Sequence, residues 1–251
     1  MAVATEHEVH HPALQHHFDN MEQQREASAL GMWVFLVTEI MFFGGMFFAY
    51  TLYRNKYPLA FASASNHLDL TLGTVNTVVL ICSSLTMAMA VHCTQVGKRQ
   101  LQVLFLILTI VLGLTFLGIK AVEYYDKYES HLIPGELIPG HKFSPTVHKR
   151  GTPEGKHELV LLEHNGERAS VENVQMFFWI YFAMTGMHAV HMIIGLGIML
   201  VLLYSAVKGR YGPEYYNPVE ITGLYWHFVD IIWIFLFPLL YLLGRHMEHL
   251  G

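Results

Sequence analysis

Residues 224–243 read LYWHFVDIIWIFLFPLLYLL. Nearly all are apolar, over about the twenty residues a helix needs to cross the hydrocarbon of a bilayer. Such a run leaves a chain few choices, because in lipid the backbone must satisfy its own polar groups, and a helix does so. Four more runs of this kind lie at 30–53, 70–93, 101–122 and 174–206. Charged residues make up only 14% of the chain, against roughly a quarter in soluble domains. The expected fold is all-α: a polytopic membrane helical bundle with five transmembrane helices and one long aqueous loop. Residues 1–29 form a polar, His-rich tail and a helix start, and 30–125 carry the first three spans. Residues 126–173 form the loop, and 174–251 the last two spans with a short tail.

Several chemistries are poorly served by this composition. The two cysteines, Cys82 and Cys93, fall in one span, roughly 16 Å apart by helical rise, and cannot bridge each other. A formal net charge of −5 gives no reason to expect nucleic acid as a partner. No basic segment with a short apolar stretch and a cleavage site marks a signal peptide, so the first span is expected to serve for insertion. His7, His10, His11, His16 and His17 form a tract that could bind metal, but their irregular spacing favours a solvated tail. Asp19 or Asn20 caps the helix that runs into the first span.

The informative residues are the polar ones inside the spans, where each must find a partner. Glu39 is the carboxylate in the middle of the first span. Gly31, Gly44, Gly45 and Ala49 offer small positions for close helix contact there. The second span bears Asn76, Ser83, Ser84 and Thr86, with Gly73, Thr77 and Ser84 near one side, a stripe best explained by packing. In the third span Lys120 and Glu123 stand three apart and can pair, at a position expected to be the membrane edge, where Tyr124, Tyr125 and Tyr128 follow. In the fourth, Tyr181, Met184, His188, His191 and Gly195 make one helical stripe. In the fifth, His227 and Asp230 share a face beside Trp226. That pair is either at a wet helix end or in a polar contact buried against a neighbouring helix or subunit.

The long loop holds Pro-Gly turns at 134–135 and 139–140. Further on, HELVLLEHNGERASV reads as a β-hairpin turning at Asn165-Gly166. A lone hairpin is marginally stable, so the loop is expected to lie on another surface, that of a partner subunit. Its histidines 131, 141, 148, 157 and 164 lack ligand-like spacing.

No catalytic centre is evident. His188 and His191 lie on one face of one helix and cannot sandwich a haem iron, and no thiolate stands where binuclear copper would need it. Phosphate-binding glycine loops and nucleophile elbows are missing. A transporter would be expected to show internal repeats and broken helices at mid-membrane, and none is clear.

Four segments carry a family resemblance. They are GMWVFLVTEIMFFGGMFFAY (31–50), LGTVNTVVLICSSLTMAMAV (72–91), TGMHAVHMIIGLGIM (185–199) and YWHFVDIIWIFLFP (225–238). Together, and in this order, they resemble subunit III of haem-copper cytochrome c oxidases. The resemblance implies a non-catalytic subunit III of a haem-copper terminal oxidase in aerobic respiration. Such a chain carries no cofactor; haem and copper lie in partner subunits, and phospholipid can be bound. The implied partners are catalytic subunit I, copper-bearing subunit II, a small subunit IV and membrane lipid. The implied role is to sustain proton uptake and protect the active site while oxygen reduction is coupled to proton pumping. Alternatives are an accessory subunit of a quinol oxidase or a nitric oxide reductase, or a small proton-linked transporter.

By resemblance Glu39 matches the family's intramembrane glutamate, His188 and His191 the paired histidines of its penultimate helix, and Trp226, His227 and Asp230 its last-helix motif. All are carried over as structural, lipid or proton-environment positions, not as catalytic residues, cofactor contacts or metal ligands. Many family members have seven spans, whose first two form one wall of a lipid cleft; this chain lacks them. The resemblance places the protein in a bacterial cytoplasmic membrane, N-terminus inside and C-terminus periplasmic. Arg25, Lys98, Arg99, Lys208 and Arg210 flank one side, and Arg54, Lys56, Lys120, Lys127, Arg168 and Arg245 the other. That near-equal division does not decide the orientation. For Glu39, the residue types leave a structural hydrogen bond and a protonic role both open. The structural role is preferred, because the chain has no redox centre.

Overall fold

A computed structural model describes residues 14–135, 142–147, 158–164 and 167–243. Among these, five helices are long and apolar enough to cross a membrane. Helix α1 (Met21–Lys56) starts where the Asn20 side chain accepts the Gln23 amide at 2.8 Å. Helix α2 (Pro58–Asn66) is short and opens on a proline whose missing N–H costs nothing at that position. Asp69 caps α3 (Leu70–Gln95) by accepting the Thr71 and Leu72 amides. Gly97, at φ 76°, makes the tight turn into α4 (Arg99–Glu129). After the loop come α5 (Val171–Val207) and α6 (Asn217–Phe237), with one π-helical turn over Pro238–Leu242.

Contacts fix the direction of each span. Phe35 and Phe47 of α1 meet Tyr225 and Phe235 of α6 in the same order along both chains, so these helices run parallel. Against α3 the order reverses: Ser83 meets Trp226, and Thr77 meets Trp233. The bundle alternates up and down, and the two ends of the described chain lie at opposite ends of it. One end holds the starts of α1 and α6, joined by the Arg25 guanidinium donating to the Tyr216 hydroxyl at 3.2 Å. The other end holds α2, the loop and the π turn.

Helix α6 is the centre. Trp226 and Trp233 are fully buried. The Trp226 indole fills a slot between α4 and α5 that exists because Gly113 and Gly195 have no side chain; a Cβ there would come within 2.9 and 3.0 Å of it. Pro238, which cannot donate, ends the α-helix. In the wider turn that follows, Leu243 N bonds back to Pro238 O. Side chains from the first two helices take up carbonyls of this segment: Ser65 donates to Leu240 O at 2.7 Å, Arg54 to Leu243 O at 2.9 Å, and Tyr50 to Leu239 O.

Two sequence expectations change here. Helix α2 was not foreseen, although its Ala60–Ser65 stretch is wholly buried; PLAFASASN has small residues rather than a helical stripe, and small residues let it approach α5 closely. The described loop segments lie on this chain itself, on α2 and α5, rather than only on a partner. Leu132 and Leu159 are buried, Phe143 packs on Phe178, and the Leu162 amide donates to Ser63 Oγ at 2.9 Å. The hairpin is present but short: β1 (Glu163–His164) pairs antiparallel with β2 (Glu167–Arg168). Its turn residues 165–166, and histidines 7, 10, 11, 141, 148 and 157, lie outside the described residues.

Candidate functional site

The sequence isolates Glu39 on α1 and His191 on α5, and the fold joins them. Glu39 Oε2 lies 3.1 Å from His191 Nε2, with side-chain exposures of 18% and 11%. The opposite ring nitrogen, Nδ1, lies 2.8 Å from Met187 O. A carbonyl only accepts, so Nδ1 carries a proton. If the imidazole is neutral, Nε2 is then an acceptor and Glu39 must donate to it. If it is cationic, Nε2 donates to a carboxylate. In both cases the contact holds one proton, and the pair is electrically neutral. Phe43 stacks edge-on against the imidazole at 5.3 Å, and Tyr225 donates to His191 O at 2.9 Å, so α1, α5 and α6 all position the pair. The bond ties α1 to α5 and is at the same time a place where a proton is held.

Trp226, His227 and Asp230 stand about three turns into α6, because the helix begins at Asn217 and not at the start of the apolar run. Trp226 and Asp230 are buried there against the neighbouring helices. Trp226 Nε1 donates to Ser83 Oγ at 3.0 Å. His227 Nδ1 lies 2.7 Å from Ser84 Oγ. Asp230 is 3% exposed, and neither carboxyl oxygen makes a hydrogen bond among the described residues. Ser84 is the hydroxyl close enough to act on it. With Nδ1–H of His227 donating to Ser84, that hydroxyl proton is free to turn toward Asp230. Ser83 and Ser84 of α3, the second in the stripe read from sequence as packing, are therefore the hydrogen-bond partners of Trp226 and His227.

His188 points elsewhere. It is 1% exposed and lies between Phe116 and Trp233, ring centres 5.4 and 5.3 Å away. Neither ring nitrogen has a hydrogen-bond partner among the described residues. Beyond Trp233 lies a further cluster. Lys120 and Glu123 pair at 2.8 Å, as expected from their spacing, and both are buried in the bundle interior. Lys120 Nζ donates to Tyr181 and Tyr241 at 3.1 and 3.2 Å and lies 5.0 Å above the Trp233 ring. Both tyrosines donate to Glu123 Oε1, Tyr181 at 2.8 Å. Tyr181 was visible as part of the α5 stripe; Tyr241 was hidden beyond Pro238.

The intramembrane histidines do not converge: His191 meets Glu39, His227 meets Ser84, and His188 meets two aromatic rings. Among the described residues no group of three or more His, Cys, Asp or Glu is arranged to hold a metal.

The architecture is that of a polytopic helical membrane protein whose interior polar residues pair across helices. It belongs to the cytochrome c oxidase subunit III family, whose model matches residues 13–132 and 169–245. The chain is 28% identical over 232 residues to cytochrome c oxidase subunit 3 of Thermostichus vulcanus, covering 90% of this chain and 92% of that one. It is 25% identical over 228 residues to a probable quinol oxidase subunit 3 of Staphylococcus haemolyticus, covering 90% and 94%. To cytochrome c oxidase subunit 3 of Gallus gallus it is 28% identical over 222 residues, covering 85% of this chain and 69% of the longer relative. The family consists of subunits of respiratory haem-copper oxidases.

Proposed function

We propose that this chain is the accessory subunit III of a haem-copper terminal oxidase, without a catalytic centre of its own. It packs on a haem-bearing catalytic subunit I, beside a copper-bearing subunit II and a small subunit IV. There it sustains proton uptake and lengthens active life during oxygen reduction coupled to proton pumping. The observation that carries this reading is the Glu39–His191 pair. Two family-motif residues far apart in sequence meet inside the bundle and hold one proton in a chain with no metal-binding group among its described residues. The outer side of α1 favours the contact with subunit I: Gly31, Gly44 and Gly45 have nothing within 4 Å, which leaves room for a close helix approach. The N-terminus is assigned to the cytoplasm and the loop to the periplasm of a bacterial inner membrane. Phospholipid covers what the partner subunits leave bare.

Purification through a tag on this chain tests the proposal. Haem and copper should co-purify in constant ratio to it. A stable, metal-free chain that moves protons alone in liposomes would instead support the transporter reading. The relatives include both cytochrome c and quinol oxidase subunits. The donor that reduces the purified complex, a cytochrome c or a quinol, decides between these.

A further inference from the structure

Helix α6 is not wholly enclosed. Helices α1 and α3 each pack on it and make little contact with one another. On the α1 side Phe47 meets Phe235, and on the α3 side Ser84 meets His227. Between these edges runs an open strip of α6, formed by His227, Ile231 and Ile234, whose spacing puts them on one face. Both isoleucines are exposed. The strip is the floor of a groove whose walls are α1 and α3. Gly44 comes three residues before Phe47 and so shares its wall, with nothing within 4 Å of the place its Cβ would take.

His227 is the polar residue of this floor. Its Nδ1 lies 2.7 Å from Ser84 Oγ, and behind Ser84 is the buried Asp230 carboxyl. Nε2 makes no hydrogen bond among the described residues, and the ring is partly exposed. The span runs from Asn217 to Leu242, 26 residues or about 39 Å, and His227 lies about 15 Å along it. The hydrocarbon of a bilayer is about 30 Å thick. That nitrogen therefore opens at a depth where no water can satisfy it.

The chemistry selects what covers it. Lipid tails carry no hydrogen-bond donor, and headgroups stand too far along the span to reach. With Nδ1–H donating to Ser84, Nε2 of the neutral ring only accepts. A second copy related by a two-fold axis would set this acceptor against itself. A helix of a different chain, carrying a donor, meets the requirement. We infer that the groove between α1 and α3 receives a transmembrane helix of the haem-bearing subunit, and that a side-chain O–H or N–H of that helix donates to His227 Nε2. Gly44 on the groove wall lets the helix approach closely. Ser84, backed by Asp230, fixes the ring so that its accepting nitrogen faces outward. This rests on the subunit III reading and extends its contact from α1 onto α6.

The intact complex in lipid nanodiscs tests it, with a diazirine side chain at Ile231, which leaves His227 in place. On illumination the probe should insert into the haem-bearing chain. If that variant does not assemble, Ile81, exposed on α3 three residues before Ser84, takes the probe instead. Insertion into lipid, a second copy of this chain or a haem-free subunit overturns the inference, as does a cross-linked peptide without a donor side chain. Replacing the donor on that peptide should loosen retention of this chain in graded detergent washing roughly 3- to 18-fold, and His227→Phe should do at least as much. Because His227→Phe also breaks the bond to Ser84, the decisive reading is the double variant, which should be no looser than His227→Phe alone. Additive losses overturn the hydrogen bond. Absence of haem from the purified wild-type chain would overturn the subunit assignment instead, before any cross-link is read.

Discussion

Glu39 separates two contributions that one contact makes, a helix-to-helix bond and a stored proton. Replacing it with Gln keeps the shape and supplies an amide N–H that can donate to His191 Nε2. Replacing it with Ala removes the bond and leaves Nε2 without a partner. Intramembrane hydrogen bonds are worth about 0.6 kcal/mol on average and up to about 1.7. A buried acceptor left unsatisfied costs about 1–3 kcal/mol. The exposed part of the Glu39 side chain meets lipid, which replaces no hydrogen bond, so the loss in Ala falls where these two figures overlap, at about 1–2 kcal/mol. That corresponds to roughly a 5- to 30-fold loss in the equilibrium that holds α1 in place. The assay is retention of this chain on the oxidase after graded detergent washing, read against haem. Glu39→Gln should match wild type, and Glu39→Ala should dissociate at milder conditions. Oxygen consumption over many turnovers then reads the proton: the Gln variant, fully assembled, should inactivate early. A Gln variant that dissociates as readily as Ala would refute the hydrogen-bond argument. A Gln variant with wild-type active life would refute the protonic one.

Other expectations follow from single contacts. Gly195→Ala brings a Cβ within 3.0 Å of the Trp226 and Tyr225 rings, so it should lower thermal stability by about 1–3 kcal/mol, whereas Gly45→Ala, which meets nothing within 4 Å, should leave the chain's own stability unchanged and weaken only its hold on subunit I. Lys120→Met leaves Glu123 as an uncompensated buried charge and should cost about 3–5 kcal/mol, measured by unfolding in mild detergent; adding Glu123→Leu should recover most of it. Arg150→Cys, in a background without Cys82 and Cys93, should be labelled by an impermeant thiol reagent from outside intact spheroplasts, while His10→Cys should not. The reverse pattern would invert the assigned orientation.

The five spans were legible because hydrocarbon length and helix length are linked, and no other signal competes over twenty apolar residues. Asn20 was legible as a cap for the same local reason. The partners inside the bundle were less so. Spacing put Lys120 and Glu123 on one face, but their burial depends on Tyr181 and Tyr241 arriving from two other helices. The α6 motif looked close to a helix end because the apolar run begins later than the helix does. Polar Asn217 and Glu220 occupy the first turn of α6, ahead of that run. Helix α2 escaped because Ala and Ser carry little periodic contrast, although that smallness is what buries it. The loop's docking on α2 and α5 rests on Leu159, Phe143 and Ser63, which no local pattern brings together.

Helix α1 explains why one carboxyl can matter so much. A smaller share of its apolar window is buried than in any other span. Its buried residues beyond the first turn, Leu36, Phe43 and Tyr50, recur every seven residues, a narrow seam. Trp33, Val37, Ile40, Met41 and Phe48 face outward. In lipid an outward apolar face gains nothing from leaving the membrane's interior, so apolar contact alone holds α1 weakly. Polar bonds make up the difference at successive depths: Arg25 to Tyr216, Glu39 to His191, Tyr50 to Leu239, and Arg54 to Leu243. Arg25 and Arg54 tie α1 near its ends in exposed bonds, where water partly replaces a lost one, and the Tyr50 tie is buried on the side of the π turn. Glu39 is the tie at mid-depth, and water cannot replace it there. Removing it should therefore loosen the middle of α1 while its ends stay docked, and open the outer glycine face on which the proposed contact with subunit I depends.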